Sequence, residues 1–354
     1  MNKLPIVDSH LDLAENVTLF GRDLTLSVSE IRRLENRKRN QATVSLPALE
    51  RGGIAVAFAT VTPGFLVEDV GEAFEPRSAL YQTPEEAEAQ ALRQITLYKS
   101  WENQGRIRLI KSVTDLDHHL TLWQQDGKPG LVLLMEGADP IVGVADLPKW
   151  WRRGLRMIGL TFGDTKYGTG VAGGNATFKQ GGLTSAGFEL LEDMAAQGFI
   201  WDISHLADEG VWQGLDLGFS KVCASHANAR ALTPTDRHLS DDVIRALADR
   251  DGVIGLVLYS GFLEPRWRFD KTLRVMLAEH LKQHAEYIAN LTNWHHVGIG
   301  SDLDGGFGLE ESPVEIDTVA DLGKVRVAVP ARYEDAVLSG NWLKFLRRSL
   351  PRSS

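Results

Sequence analysis

Continuous apolar runs recur along the chain and predict eight strands that are buried on both faces. These runs cover residues 4–7, 54–61, 131–135, 157–162, 199–203, 221–224, 253–258 and 297–300. A strand with one exposed face would alternate apolar and polar residues, whereas unbroken apolar runs are typical of parallel sheets. The pattern therefore predicts a parallel sheet covered by helices.

Helical patterns lie between most of these runs. Thr83 and Pro84, followed by two glutamates, predict a helix start, because an N-cap hydroxyl, an early proline and acidic side chains all suit that end. Thr184 and Ser240 are further N-cap candidates, and residues 272–291 form the longest predicted helix. Strands that alternate with helices indicate βαβ units, and eight of them predict a closed (β/α)8 TIM-type barrel.

The bulk composition narrows the class of protein and of partner. The 354 residues suit one barrel domain spanning 1–354, and no apolar run is long enough to cross a membrane. A net charge of −9 argues against nucleic acid as a partner. The start of the chain has no apolar leader, and the single cysteine, Cys223, fits a reducing compartment. We expect a cytoplasmic protein with a small substrate and no membrane partner.

Candidate metal ligands follow the predicted strands, at the end of a barrel where active sites are built. His10 and Asp12 are two residues apart, so on an extended segment they point to one side. Glu136 ends an apolar run, where an unpaired carboxylate is costly, although a turn acid is the simpler interpretation. His205 and His226 each follow a serine at a strand end. Together these side chains predict a metal centre, and the mixture of imidazole and carboxylate suits zinc.

Two aspartates follow the last predicted strand. Asp302 would stand beside the metals. A water that bridges two metal ions has a lowered pKa, and the carboxylate of Asp302 could take its proton to leave a hydroxide nucleophile. Asp304 precedes two glycines and is interpreted as a turn acid. His280 and His284 are also spaced as zinc ligands, but their polar neighbours predict an exposed helix face.

Taken in order, these motifs resemble the renal-type or membrane dipeptidases, zinc peptidases with an amidohydrolase-like barrel. The resemblance runs through D-x-H-x-D at Asp8, E-G at Glu136 and G-x-D-x-D-G at Gly300. It implies hydrolysis of short dipeptides, L-aminoacyl and with a D-residue tolerated at the C-terminal side, by a metal-bridging hydroxide. It also implies a homodimer. The site residues that it implies are His10 and Asp12 on a first zinc ion, His205 and His226 on a second, Glu136 bridging both, Asp302 as proton shuttle, Arg237 on the substrate carboxylate and Tyr259 in the substrate pocket.

One position departs from the family pattern. Family members commonly end strand four with Leu-Thr-His, whose histidine contacts the scissile carbonyl oxygen, whereas this chain has Phe162 in the substrate pocket. Either Lys166 or Tyr167 replaces that donor, or the metals alone polarise the carbonyl. Two alternatives to a dipeptidase therefore stay open: another metal-dependent amide hydrolase, such as an N-acyl-amino-acid deacylase, and a metal-binding barrel that has lost activity.

Overall fold

The predicted barrel is present in the structure, a computed structural model that describes residues 4–66, 80–173 and 178–353. Each strand pairs in parallel with the next, and β1 pairs with β8 through Asp8 and Ile299. A parallel bridge between Ala224 and Ile254 joins the remaining two neighbours, β6 and β7. The strands of the barrel are β1 Ile6–Leu11, β2 Ile54–Val61, β3 Gly130–Glu136, β4 Leu155–Gly159, β5 Ile200–Asp202, β6 Val222–Cys223, β7 Ile254–Leu256 and β8 Val297–Ile299. Three two-residue strands lie outside the ring: Arg108–Leu109, which pairs with β3, and Phe65–Leu66 and Leu80–Tyr81, which pair with each other.

Helices surround the strands and fill the connections between them. They are α1 Leu13–Phe20, α2 Val28–Glu35, α3 Leu46–Gly52, α4 Pro84–Asn103, α5 Val113–Asp126, α6 Leu147–Arg153, α7 Ser185–Gln197, α8 Asp208–Asp216, α9 Asp241–Ala248, α10 Ser260–Leu263, α11 Lys282–Leu291 and α12 Asn341–Ser349. Short π-helical turns, Leu277–Leu281 and Ala336–Gly340, lead into α11 and α12. No helix within the described ranges has the length and apolar character that a membrane crossing requires.

The predicted helix starts are confirmed, whereas one predicted length is wrong. The hydroxyls of Thr83, Thr184 and Ser240 each accept a hydrogen bond from an amide in the first turn of α4, α7 and α9. The helix predicted over 272–291 is shorter, because Met276 is extended and the helical turns begin only at Leu277. The longest helix of the described chain is α4, with 20 residues.

The C-terminal helix closes the end of the barrel that lies opposite the strand ends carrying the predicted ligands. Trp342 of α12 is fully buried, and its indole N–H donates to the carbonyl of Ile299 at 3.1 Å. Its ring contacts Phe58 edge-on, with centroids 5.0 Å apart. A side chain at Gly298 would place its Cβ 2.2 Å from the indole nitrogen, so this position needs glycine. This end of the barrel is therefore closed by packed side chains around Trp342.

Candidate metal centre and active site

The predicted metal ligands meet at the C-terminal end of the barrel strands. His10 lies on β1 and Glu136 ends β3, while His205 and His226 follow β5 and β6 within three residues. All of these side chains are buried. The Oε1 atom of Glu136 lies 3.4 Å from Nε2 of His10, 3.1 Å from Nε2 of His205 and 3.5 Å from Nε2 of His226.

Two aspartates complete the cluster on the side of β1 and β8. Nε2 of His10 lies 3.6 Å from Oδ1 of Asp12 and 3.9 Å from Oδ1 of Asp302. Within the described chain, two sets of ligand atoms lie within 4.8 Å of one another: His10 with Glu136 and His226, and His10 with Asp12 and Asp302. Both groups share His10, so these side chains form one continuous cluster.

Hydrogen bonds to the far ring nitrogens fix how the imidazoles face this centre. Nδ1 of His205 lies 2.8 Å from the carbonyl oxygen of Val171, which can only accept, so this Nδ1 carries the proton. Nδ1 of His226 and of His10 lie 2.8 and 3.2 Å from the hydroxyl of Ser225. That hydroxyl donates its own proton to Asp202, so it accepts from both rings. The Nε2 atoms of all three rings are thereby directed toward Glu136.

This arrangement of donors fits metal ions. Nε2 of His10 and Oε1 of Glu136 are buried and have no hydrogen-bond partner in the part of the chain that the structure describes. Nε2 of His205 and Nε2 of His226 lie 3.0 Å apart with their lone pairs facing each other, an arrangement that a shared cation stabilises. Burial favours a lower pKa for His10, but Glu136 and Asp12 outweigh it and raise this pKa to about 10. The carboxylates thus favour positive charge at this centre.

Arg237 is the main basic group beside the ligands. It is buried, and its Nη2 donates to Nε2 of His205 at 3.0 Å. Among the described residues, Arg237 forms no surface ion pair with Asp241 or Asp242, its nearest acidic neighbours on the C-terminal side. Asp241 accepts a hydrogen bond from Tyr287, and Asp242 pairs with Arg245. The guanidinium is therefore held at the metal centre rather than at the surface.

A cavity of about 510 Å³ opens above the centre. Phe162 and Tyr259 both line it, as predicted for pocket residues, and Phe162 packs against the ring of His205 with centroids 4.7 Å apart. Lys166 and Tyr167 do not line it, because they hydrogen-bond to the carbonyls of Val142 and Ile141. Neither residue replaces the family's strand-four histidine in this structure.

Asp302 and Asp304 have different surroundings, although both have left-handed backbone φ values of 60° and 65°. Asp302 lines the cavity. Burial is the main cause that raises its pKa, and the charges of Asp12 and Glu136 raise it further. The positive charges of His10 and Arg237 oppose this shift without cancelling it. The carboxylate of Asp304 instead accepts from the amide and hydroxyl of Thr43 and lies 3.3 Å from Nη1 of Arg22. Asp304 therefore holds the loop after β8 against the segment before α3.

Several residues at the site were not identified from the sequence. Thr60 donates to Asp12 Oδ1 at 2.5 Å, and Thr62 donates to Glu136 Oε2 at 3.2 Å. Asp202 and Ser225 orient the imidazoles, and the repeated Ser-His pair was the available signal for the serine. Glu15, on the first turn of α1, also lines the cavity.

The prediction that His280 and His284 lie on an exposed helix face is wrong. Both are buried, and Nδ1 of His284 accepts from the amide of Ala229 at 3.2 Å. His284 thereby anchors the loop between β6 and α9, whereas Nδ1 of His280 accepts from the amide of Met276 at 3.1 Å. Neither histidine belongs to the two metal-ligand groups found among the described residues.

A family comparison decides the assignment, since the profile of the membrane dipeptidases, peptidase family M19, matches residues 1–348. The chain belongs to the membrane dipeptidase family. The predicted fold and the predicted metal-dependent dipeptidase activity are confirmed by this assignment.

The chain is also similar to individual proteins. An uncharacterised Klebsiella pneumoniae protein in the pqqA 5′ region is 31% identical over 69% of this chain and 89% of its own length. Dipeptidase aclJ of Aspergillus oryzae is 25% identical over 98% of this chain and 78% of its own. A Rhodobacter sphaeroides metallopeptidase, solved with a phosphinate mimic of the dipeptide L-Ala-D-Ala, superposes with a TM-score of 0.78 at 23% identity. That match covers 98% of this chain and 99% of the other.

Proposed function

We propose that the protein is a binuclear zinc dipeptidase. The convergence of three imidazole Nε2 atoms on one carboxylate oxygen of Glu136 is the observation that carries this proposal. His10 and Asp12 would hold one ion, His205 and His226 would hold the other, and Glu136 would bridge them. Imidazole and carboxylate ligands suit zinc, and the Nδ1 hydrogen bonds of all three rings are the supporting contacts that ligating histidines usually have.

The chain's own residues would divide the chemistry between them. Bound zinc ions would supply Lewis acidity and lower the pKa of the attacking water. Asp302 then accepts the proton that the water loses and gives it to the leaving nitrogen, as the new C–O bond forms and the C–N bond breaks. Its position at the cavity, 3.9 Å from a ligand nitrogen, supports this role.

Substrate recognition would depend on Arg237 and the aromatic wall. Arg237 would bind the carboxylate at the C-terminal end of the dipeptide, since its guanidinium can donate two parallel hydrogen bonds to it. Tyr259 and Phe162 would contact the side chains of the substrate. The L-Ala-D-Ala mimic in the R. sphaeroides relative supports acceptance of a D-residue at the C-terminal side.

An N-acyl-amino-acid deacylase and an inactive metal-binding barrel are the competing functions. Phe162 favours both, because it cannot donate a hydrogen bond to a scissile carbonyl as the family's usual histidine does. Arg237 favours either hydrolase, since dipeptides and N-acyl amino acids both carry a free carboxylate. A deacylase would therefore differ from a dipeptidase in its substrate, and an inactive barrel would differ in its lack of turnover, while the proposed metal centre is the same in all three.

One experiment distinguishes these functions. The purified protein is stripped of metal, reloaded with zinc, analysed for metal content and assayed against a dipeptide panel beside N-acyl amino acids. We expect two zinc ions per chain and hydrolysis of dipeptides. Turnover of N-acyl amino acids alone would indicate a deacylase, bound zinc without turnover would indicate the inactive barrel, and a trace of zinc would contradict the proposed centre.

We also propose that the protein is a single-domain, cytoplasmic enzyme. Its lone cysteine, Cys223, is buried in β6, which fits a compartment where disulfides are not needed. The homodimer implied by the family resemblance can be tested by light scattering after size-exclusion chromatography.

A further inference from the structure

The loop after β4 gives the substrate cavity an apolar wall. The residues of its described part that line the cavity are Phe162, Ala172 and Gly173, and none of them carries a polar side chain. The segment between β1 and β2 differs, because it contributes the carboxylate of Glu15 and the carboxamide of Asn40 to the same cavity. The β4 side of the cavity therefore suits an apolar group of the substrate.

This apolar wall is fixed to one of the proposed metal ligands. The carbonyl oxygen of His205 accepts hydrogen bonds from the hydroxyl of Thr161 and from the amide of Val171, both at 2.8 Å. Nδ1 of His205 donates in turn to the carbonyl of Val171, also at 2.8 Å. Both of these partners are direct sequence neighbours of wall residues, so the wall is held beside the imidazole.

Phe162 is the largest residue of the wall and lies against the metal centre. Its ring packs on the imidazole of His205, with centroids 4.7 Å apart and ring planes inclined by 59°. Its Cβ lies over Gly137, where an added Cβ would be 3.5 Å away and where the φ of 82° favours glycine. The side chain is half-buried, so it is held by these contacts and still borders the cavity.

Arg237 and Phe162 flank the same imidazole. Nη2 of Arg237 donates to Nε2 of His205 at 3.0 Å, and the ring of Phe162 packs against that imidazole. In the proposed binding mode, Arg237 holds the carboxylate of the C-terminal residue. The side chain of that residue is attached to the carbon next to this carboxylate, so it is the substrate group that comes within reach of Phe162.

We propose that Phe162, Ala172 and Gly173 form the pocket for the side chain of the C-terminal residue and select dipeptides in which this side chain is apolar, with aromatic side chains preferred. This inference rests on the proposed dipeptidase function and adds the substrate class. Alanine and glycine are small and leave space beside the ring of Phe162. An aromatic side chain can pack edge-on or offset against that ring, as aromatic pairs prefer. A polar side chain would lose hydration without gaining a side-chain partner from the wall.

The test measures the binding of phosphinate dipeptide mimics that differ only in the side chain of the C-terminal residue. The side chains are isobutyl, carboxamidomethyl and benzyl, which correspond to leucine, its isostere asparagine, and phenylalanine. Series with this residue in the L and in the D configuration are titrated calorimetrically into zinc-loaded protein, and the tighter-binding series is compared. Wild type should bind the leucine mimic about 10- to 100-fold more tightly than the asparagine mimic. It should bind the phenylalanine mimic about 2- to 10-fold more tightly still.

Substitutions of Phe162 separate the effect of the ring from that of apolar character. Phe162→Leu should keep the preference for the leucine mimic over the asparagine mimic and lose the further preference for the phenylalanine mimic. Phe162→Asn should lose both preferences with unchanged zinc content. Phe20→Leu is the matched control and should keep both, because Phe20 lines the cavity from the end of α1, where its ring centroid lies 5.4 Å from Cζ of Arg22.

Two results would overturn the inference: a wild type that binds the asparagine mimic as tightly as the leucine mimic, or preferences that persist unchanged in both Phe162 variants. Because binding needs no turnover, either result is separate from the outcome of the dipeptidase assay. A zinc-loaded protein that binds none of the mimics would contradict the proposed function together with this inference.

Discussion

The hydroxyl of Ser225 donates a 2.5 Å hydrogen bond to Oδ2 of Asp202. Because its only proton is used there, the same oxygen accepts from Nδ1 of His226 and from Nδ1 of His10. One side chain therefore sets the tautomer of two imidazoles that belong to different strands. Asp202 also accepts from the amide of Ser225 at 2.8 Å, which fixes the serine itself.

Removing this hydroxyl should weaken metal binding while the fold persists. Ser225→Ala leaves both Nδ1 atoms without their acceptor, and loss of such a supporting partner typically costs about 10- to 100-fold in metal affinity. Competition with a zinc chelator measures the change. Ser9→Ala is the matched control, because its hydroxyl bonds to backbone carbonyls of Ser225 and Ile299 and contacts no imidazole. Equal zinc affinity in the two variants would contradict the role of Ser225.

The two aspartates after β8 should respond differently to the same substitution. Asp302→Asn should keep both zinc ions and lower kcat by about 10²- to 10⁴-fold, the usual contribution of a general acid–base group. Asp304→Asn should mainly lower the melting temperature, because it removes the charge opposite the buried Arg22. Steady-state kinetics and thermal melting separate the two effects. Near-normal turnover in Asp302→Asn would show that the proton travels by another route.

Arg237 should determine the preference for a free substrate carboxylate. Arg237→Met should raise KM for dipeptides about 10- to 150-fold, the value of a hydrogen bond to a charged group. Arg237→Lys should recover only part of the loss, because a lysine cannot donate the two parallel bonds. C-terminally amidated dipeptides are the comparison: wild type should discriminate against them and Arg237→Met should not. The same preference in both proteins would exclude Arg237 as the carboxylate-binding residue.

Acid should destabilise the fold through its buried histidines. Burial is the main cause that lowers the pKa of His284 from 6.5 to about 4, with a smaller opposing contribution from the carbonyl of Leu263. In the unfolded chain His284 therefore binds a proton near pH 6.5, whereas in the folded chain it binds one only near pH 4. The stability that this neutral ring contributes is complete above pH 6.5 and is lost as the pH falls toward 4.

His284→Asn isolates this contribution, because an asparagine can still accept from the amide of Ala229 but does not titrate. Denaturant unfolding between pH 7 and pH 4.5 should show a shallower loss of stability in the variant, by up to about 1.4 kcal/mol per pH unit. Parallel slopes for the two proteins would show that His284 does not contribute to the acid sensitivity.

Local sequence was sufficient to predict the strands and the side chains that meet at their ends, but not the residues that support them. The apolar runs before Glu136 and His226 were enough to predict two buried strands with these side chains at their ends. The burial of His284 was not predicted, because its neighbours on the helix are polar. Its hydrogen-bond partner is the amide of Ala229, which lies 55 residues away in the sequence. The bond between Ser225 and Asp202 likewise joins two strands, and no local pattern encodes such a contact.

The pairing of the first strand with the last also sets when the barrel can close during synthesis. The carboxylate of Asp8 accepts from the hydroxyl of Ser301, 293 residues later, and β1 lies beside β8. During synthesis, which proceeds from the N-terminus, His10 and Asp12 emerge long before Asp302 and before the strand that completes the ring. The ring of strands that surrounds the site is therefore closed only after β8 has left the ribosome, and Asp302 joins the cluster last.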